Sequence, residues 1–167
     1  DNYFDHIDGS LDRSKIRIRW YTKSKYNLGK YFLEYKKRVN KKSIKVKKEL
    51  NISNLKDLSN FNLVGSLNEL LEKNEIKERY IMIYPILFNK YKRNYFINAK
   101  NQERLTLDSE LFFSKCFQNY EMNFFQKTNI KLIEHKYHQK FGKTKLRNNS
   151  IEKFSKVNFS KYIFGFK

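Results

Sequence analysis

Two arginines, Arg17 and Arg19, sit in the run Lys15-Ile16-Arg17-Ile18-Arg19-Trp20-Tyr21, where charged and apolar residues alternate. In a β-strand a period of two sends successive side chains to opposite faces. The two guanidiniums then share one face about 7 Å apart, a separation that suits neighbouring phosphates of an extended chain. Arginine fits that task because its planar fork grips phosphate oxygens at two points and keeps its charge. Lys36, Lys45, Arg93, Arg104 and Lys136 are also expected on polar strand faces. One such pair is ordinary surface chemistry, but cations on so many strands exceed what solubility requires.

Two carboxylates stand among these cations. Glu34 and Glu134 each precede a lysine by two residues, on the same strand face. Each has a simple reading as the ion-pair partner of its neighbour. The functional reading is that one of them holds Mg²⁺ or Mn²⁺, hard cations bound by one or two carboxylates plus substrate phosphates. His135 and His138 would point to opposite faces of a strand, which makes a shared metal site a poor reading and surface histidines the better one. The sequence has no glycine-rich phosphate loop, no CxxC pair and no nucleophile–histidine–acid set.

These residues need strands to position them. Strands are expected over 15–21, 31–38 and 43–47, the last two joined by a short basic turn as an antiparallel hairpin. In the second strand Phe32, Glu34 and Lys36 share one face, and Leu33 and Tyr35 the other. Residues 51–80 change character. Leu55, Leu58, Leu63, Leu67, Leu70 and Leu71 recur at helical spacing, and Ser66-x-x-Glu69 reads as a capping box opening the second of two helices. The single proline, Pro85, makes 81–88 a bulge or edge strand. A second hairpin is expected from 91–97 and 104–108, and a strand over 129–137. Residues 110–125 are ambiguous: Leu111, Phe112 and Phe113 favour a strand and the rest a short helix or loop, and the tail from Ser150 has helical spacing. Turn chemistry at Asp8 and Gly9 marks the polar opening segment. Strands with one charged face each can build an open sheet with a solvated side or a closed barrel with a polar lumen.

Composition narrows the partners. At 167 residues the chain reads as one domain, with residues 51–80 as a helical insertion on the outside of the sheet. Thirty-six Lys and Arg against seventeen Asp and Glu give a net charge of +19, which implies a polyanionic partner such as nucleic acid, polyphosphate, a nucleotide or an anionic membrane. The lone cysteine, Cys116, cannot form an internal disulfide, so a reducing, cytoplasmic setting and an inert thiol are expected. No apolar run approaches the roughly 18 residues of a membrane span. Membrane association, if any, would be made through regions outside this chain.

The run DHIDGSLDRSKIRIRWY, followed in order by FLEYKKR, KSIKVK, YKRNYF, RLTLD, IEHKY and NFSKYIFG, resembles the VTC domain. This is the polyphosphate polymerase domain of vacuolar transporter chaperone proteins and their bacterial relatives, within the triphosphate tunnel metalloenzyme superfamily. The resemblance implies an α+β fold in which an antiparallel β-barrel encloses a basic lumen, with flanking helices. It also implies that the first strand or strands precede this chain. By the same likeness Arg17, Arg19, Lys36, Arg93 and Arg104 fall on catalytic cations of the tunnel. Lys45, Lys136 and Lys161 fall on substrate-binding positions, and Glu134 on the glutamate that holds Mn²⁺ or Mg²⁺. A basic residue usual three positions before the lysine of SKY is replaced by Asn158, for which Lys156 or Lys153 would compensate.

The implied activity is transfer of the terminal phosphoryl group of ATP onto inorganic polyphosphate, with room for a membrane-embedded partner subunit. Two alternatives stay open. A triphosphatase of the same fold would favour more inward glutamates than this chain offers. A binding module for polyphosphate or nucleic acid would need no chemistry, and RNA recognition would place exposed aromatics beside the cations. Most aromatics here alternate away from the charged faces.

Overall fold

The period-two runs become strands because alternation buries one face and solvates the other. The structure, a computed structural model, describes residues 13–21, 29–39, 42–98, 103–116, 122–136, 157 and 159–166. The chain divides into two units, Asp1–Tyr84 and Pro85–Lys167.

In the first unit β1 (Arg13–Arg19), β2 (Tyr31–Val39) and β3 (Lys42–Leu50) form an antiparallel sheet in that order. The first strand starts two residues earlier than expected and ends before Trp20, whose ring stacks on Tyr31 at 5.5 Å. Gly29 N–H donates to the Tyr21 carbonyl at 3.1 Å, and a Cβ on residue 29 would lie 2.1 Å from that oxygen, so only glycine closes the connection here. Tyr31, Leu33 and Tyr35 of β2 are almost fully buried and form the core with Leu50, Leu58, Leu63, Leu67, Leu70 and Leu71.

The leucines after residue 60 are carried by α1 (Leu63–Lys73), which packs on β3 after a 3-10 turn at Leu55–Ser59. The expected capping box is displaced. Asn62 caps the helix by accepting from Gly65 N–H at 2.8 Å, and Ser66 already lies inside, its N–H bonded to the Asn62 carbonyl. Asparagine caps as well as serine, and the earlier start brings Leu63 into the buried stripe. Beyond the helix, Asn68 bonds both backbone groups of Tyr80, and Glu78 accepts from Lys37 at 2.5 Å and from the Tyr35 hydroxyl. Residues 78–80 are thereby strapped to α1 and to the apolar side of β2.

The second unit holds β4 (Leu87–Asn98), β5 (Glu103–Cys116), β6 (Met122–Thr128) and β7 (Leu132–Lys136), all antiparallel. The expected hairpin is present, with strands longer than expected. Pro85 lies before β4 rather than in an edge strand, consistent with its missing N–H. Residues 110–116 continue β5 and 122–128 form β6, so the described parts of the ambiguous stretch are strand. On the edge opposite β4, β5 pairs first with β7 and then with β6. Glu110, at φ 52°, marks the bulge between these halves. Of the expected helical tail the described part is α2 (Lys161–Phe166), which packs on β4 and β5. A Cβ on Gly165 would stand 2.4 Å from a Phe113 ring carbon, so the missing side chain is what lets α2 lie this close.

The observed architecture is thus α+β, with antiparallel strands in two sheets and few helices. Among the described residues the strands do not close into a barrel. No helix among them is long and apolar enough to cross a membrane. The expected turn at Asp8 and Gly9, His138, the tail over 150–156 with Lys153 and Lys156, and Asn158 lie outside the described residues.

The helix end supplies a test. Ile76 N–H bonds the Leu71 carbonyl and Glu75 N–H the Glu72 carbonyl, a Schellman closure with Glu75 at φ 57° where glycine is usual. A left-handed non-glycine residue costs about 1 kcal/mol. Glu75→Gly is expected to raise the melting temperature by about 2–4 °C, read by calorimetry, with Glu75→Ala giving no such gain. A lower melting temperature for the glycine variant would contradict the closure.

Candidate functional site

In the first unit, register decides which side chains meet. Arg13 lies opposite Arg38, Lys15 opposite Lys36, Arg17 opposite Glu34 and Arg19 opposite Phe32. Across the next pair Lys36 faces Lys45 and Glu34 faces Lys47. Directly opposed residues share a face. One side of this sheet therefore carries eight cations (Arg13, Lys15, Arg17, Arg19, Lys36, Arg38, Lys45, Lys47) and two carboxylates, Glu34 and Glu49. Lys15, Lys36 and Lys45 form a row of like charges across all three strands, an arrangement that destabilises a sheet.

Glu34 lies at the middle of this face and is 6% exposed. Arg17 donates to its Oε2 from Nε at 2.6 Å and approaches with Nη2 at 2.5 Å, while Lys45 Nζ stands 3.1 Å from Oε1. Burial pushes this carboxyl up, but the Arg17 and Lys45 contacts outweigh it and hold the group below the usual carboxylate range. Lys15 goes down, through burial first and then the charges of Arg13, Lys36 and Arg17. Toward the end of β1 the Arg19 guanidinium lies 4.5 Å over the Tyr21 ring, and Lys47 Nζ 5.3 Å over Phe32. Arg19, Tyr21, Phe32, Glu34, Lys45 and Lys47 line a cavity of about 330 Å³.

The second unit repeats the device with other residues. Arg93 lies opposite Asp108, Thr106 opposite Glu134 and Arg104 opposite Lys136. Asp108 is 2% exposed. It accepts two bonds from Arg93, Nε at 2.5 Å and Nη2 at 2.6 Å, and a third from Lys161 Nζ at 2.6 Å. Burial raises the Asp108 carboxyl, yet Arg93 and Lys161 hold it low, and Arg93 is in turn pushed up by its bonds to Asp108. Tyr91 lies under both cations, 5.2 Å from Arg93 and 4.6 Å from Lys161, with Tyr95 5.9 Å from Arg93. Lys161 is delivered by α2, whose next turn seats Gly165 on Phe113 and Leu87.

The structure thus gathers Arg17, Arg19, Lys36 and Lys45 on one face of the first sheet. It gathers Arg93, Arg104, Glu134 and Lys136 on one face of the second, with Lys161 joining Arg93 at Asp108. Lys15 and Lys47 were missed as members, although their parity with Arg17 and Lys45 was readable. Asp108 was missed as a clamp, since its burial is invisible in RLTLD. Glu134 is half exposed and pairs with Lys136 at 3.1 Å. Among the described residues no three His, Cys, Asp or Glu side chains stand together as metal ligands would. Glu134 still fits a substrate-borne cation. The buried Thr106 hydroxyl opposite it has no hydrogen-bond partner, and a hard divalent ion completes its shell with phosphate oxygens and water. Cys116 is half-buried and burial pushes its thiol up, as an inert thiol requires.

Both clamps predict an acid limb. A carboxyl whose folded pKa lies below its unfolded value of about 4 adds stability that is complete above that pH and lost as pH falls through the folded value. Unfolding free energy should be level from pH 8 to 5 and fall below about pH 4. Asp108→Asn should lower stability at pH 7 and flatten the acid limb, measured by urea denaturation. An acid limb as steep as that of the wild type would contradict the clamp.

No curated protein and no solved structure gives a significant match. A family model described as the VTC domain matches residues 1–167, the whole chain. Its span takes in both cationic sheet faces and the helix that carries Lys161, and the chain belongs to the VTC domain family.

Proposed function

We propose that this chain binds inorganic polyphosphate along its basic sheet faces and extends it with the terminal phosphoryl group of ATP. Family membership supports a polyphosphate-related role. The observation that carries the reading is the first sheet's face, where eight cations meet two carboxylates and lysines oppose lysines. Such a face is destabilising until a polyanion neutralises it. The tunnel implied by the resemblance belongs to the same proposal.

Phosphoryl transfer asks for in-line positioning and neutralisation of spread charge more than for a protein nucleophile. A terminal oxygen of the chain attacks the γ-phosphorus of ATP, a new P–O bond forms, and the bond to ADP breaks with ADP leaving. Arg17, Arg19, Lys36, Arg93 and Arg104 would hold phosphate oxygens, and Lys45, Lys136 and Lys161 would guide the chain. Arg17 and Arg93 are aimed beforehand by Glu34 and Asp108, so less ordering remains for substrate to impose. A Mg²⁺ or Mn²⁺ ion held by Glu134 and phosphate oxygens would add Lewis-acid stabilisation of the transferring group.

Incubation with ATP and Mn²⁺ or Mg²⁺ should yield long polyphosphate chains, resolved on gels. Arg17→Ala and Arg93→Ala should each lower the rate by about 10²-fold. Free phosphate without chains would instead identify a triphosphatase. Salt-sensitive polyanion binding with neither product would identify a binding module.

A further inference from the structure

The cavity in the first unit holds more than phosphate recognition requires. Phosphate needs donors and positive charge, and aromatic faces add nothing to it. Yet Tyr21 and Phe32 line this cavity beside Arg19, Lys45 and Lys47. Both rings stand at one end of the cationic face: Phe32 lies across from Arg19 in register, and Tyr21 comes two residues after it. Tyr21 is 50% exposed, whereas Tyr31 and Tyr35 of the same unit are 1% and 0% exposed, so Tyr21 is not placed there as core. Its backbone is nevertheless fixed by the hydrogen bond from Gly29. Arg19 lies over its ring at 4.5 Å.

Planar heteroaromatics are bound on aromatic side chains and on guanidinium planes, and here one of each is already stacked. The volume of about 330 Å³ lies at the small end of ligand sites, which suits a single base. We propose that this cavity is a nucleobase subsite, where the base of a nucleoside triphosphate stacks against Tyr21 and Arg19 while its phosphates run toward Arg17 along β1. The inference rests on the reading of ATP as phosphoryl donor and deepens it by fixing the end at which the nucleotide is held.

The test separates the base from the phosphates. The whole chain is titrated by calorimetry with ATP and with inorganic triphosphate at one salt and Mg²⁺ concentration. Tyr21→Ala should weaken ATP about tenfold and triphosphate less than twofold, while Tyr21→Phe keeps both affinities. Equal weakening of the two ligands, or unchanged ATP binding by Tyr21→Ala, overturns the subsite and leaves the phosphate reading standing. Failure of the wild type to bind either ligand overturns both.

Discussion

A sheet face bearing eight cations holds together only if something sets its charge in order, and in the first unit that is the buried carboxylate of Glu34. Lysines directly opposite lysines repel, and the repulsion grows as the dielectric falls. Glu34 sits where Arg17 and Lys45 both reach it, so two of the cations are pinned against one buried carboxylate. Arg17 is half exposed, and a pair of that kind adds little to stability. Its larger effect is geometric: the guanidinium is held in place before any ligand arrives.

The second unit reaches the same arrangement from different sequence. Asp108 takes a two-point grip from Arg93 and a third bond from Lys161, which comes from a helix more than fifty residues later. The position of α2, set by Gly165 against Phe113, therefore becomes part of the electrostatics of β5. In each unit a buried carboxylate gathers two of the cations that the family likeness places on substrate. Breaking the Asp108 clamp leaves an unpaired buried charge, a costly change, so in the second unit stability and site geometry depend on the same few atoms.

Much of this was legible in sequence because strand faces follow from parity alone. The alternation at 15–21 put Arg17 and Arg19 on one face of their strand, that at 32–36 put Glu34 and Lys36 on one face of theirs with Leu33 and Tyr35 on the other, and the structure agrees. What parity cannot give is register, so the lysine row across three strands was not visible. The long β5 was obscured by its bulge. Burial falls on Thr106 and Asp108 before Glu110 and on Leu111 and Phe113 after it. A one-residue shift of that kind erases a period-two signal. The start of α1 was misplaced because Ser66-x-x-Glu69 mimics a cap, while Asn62 caps through a contact that spacing does not mark. Glu75 gave no signal of a helix end because glycine is the expected residue there.

The central claim is that long polyphosphate lies on the cationic face of the first sheet, and protection of individual lysines from acylation tests it most directly. With saturating polyphosphate, mass spectrometry should show Lys15, Lys36, Lys45 and Lys47 shielded. Lys48, on the opposite face beside Glu69, and Lys73 and Lys77, on and just after α1, should react as they do in the free protein. Uniform shielding of all these lysines, or shielding confined to Lys48, Lys73 and Lys77, would contradict the account.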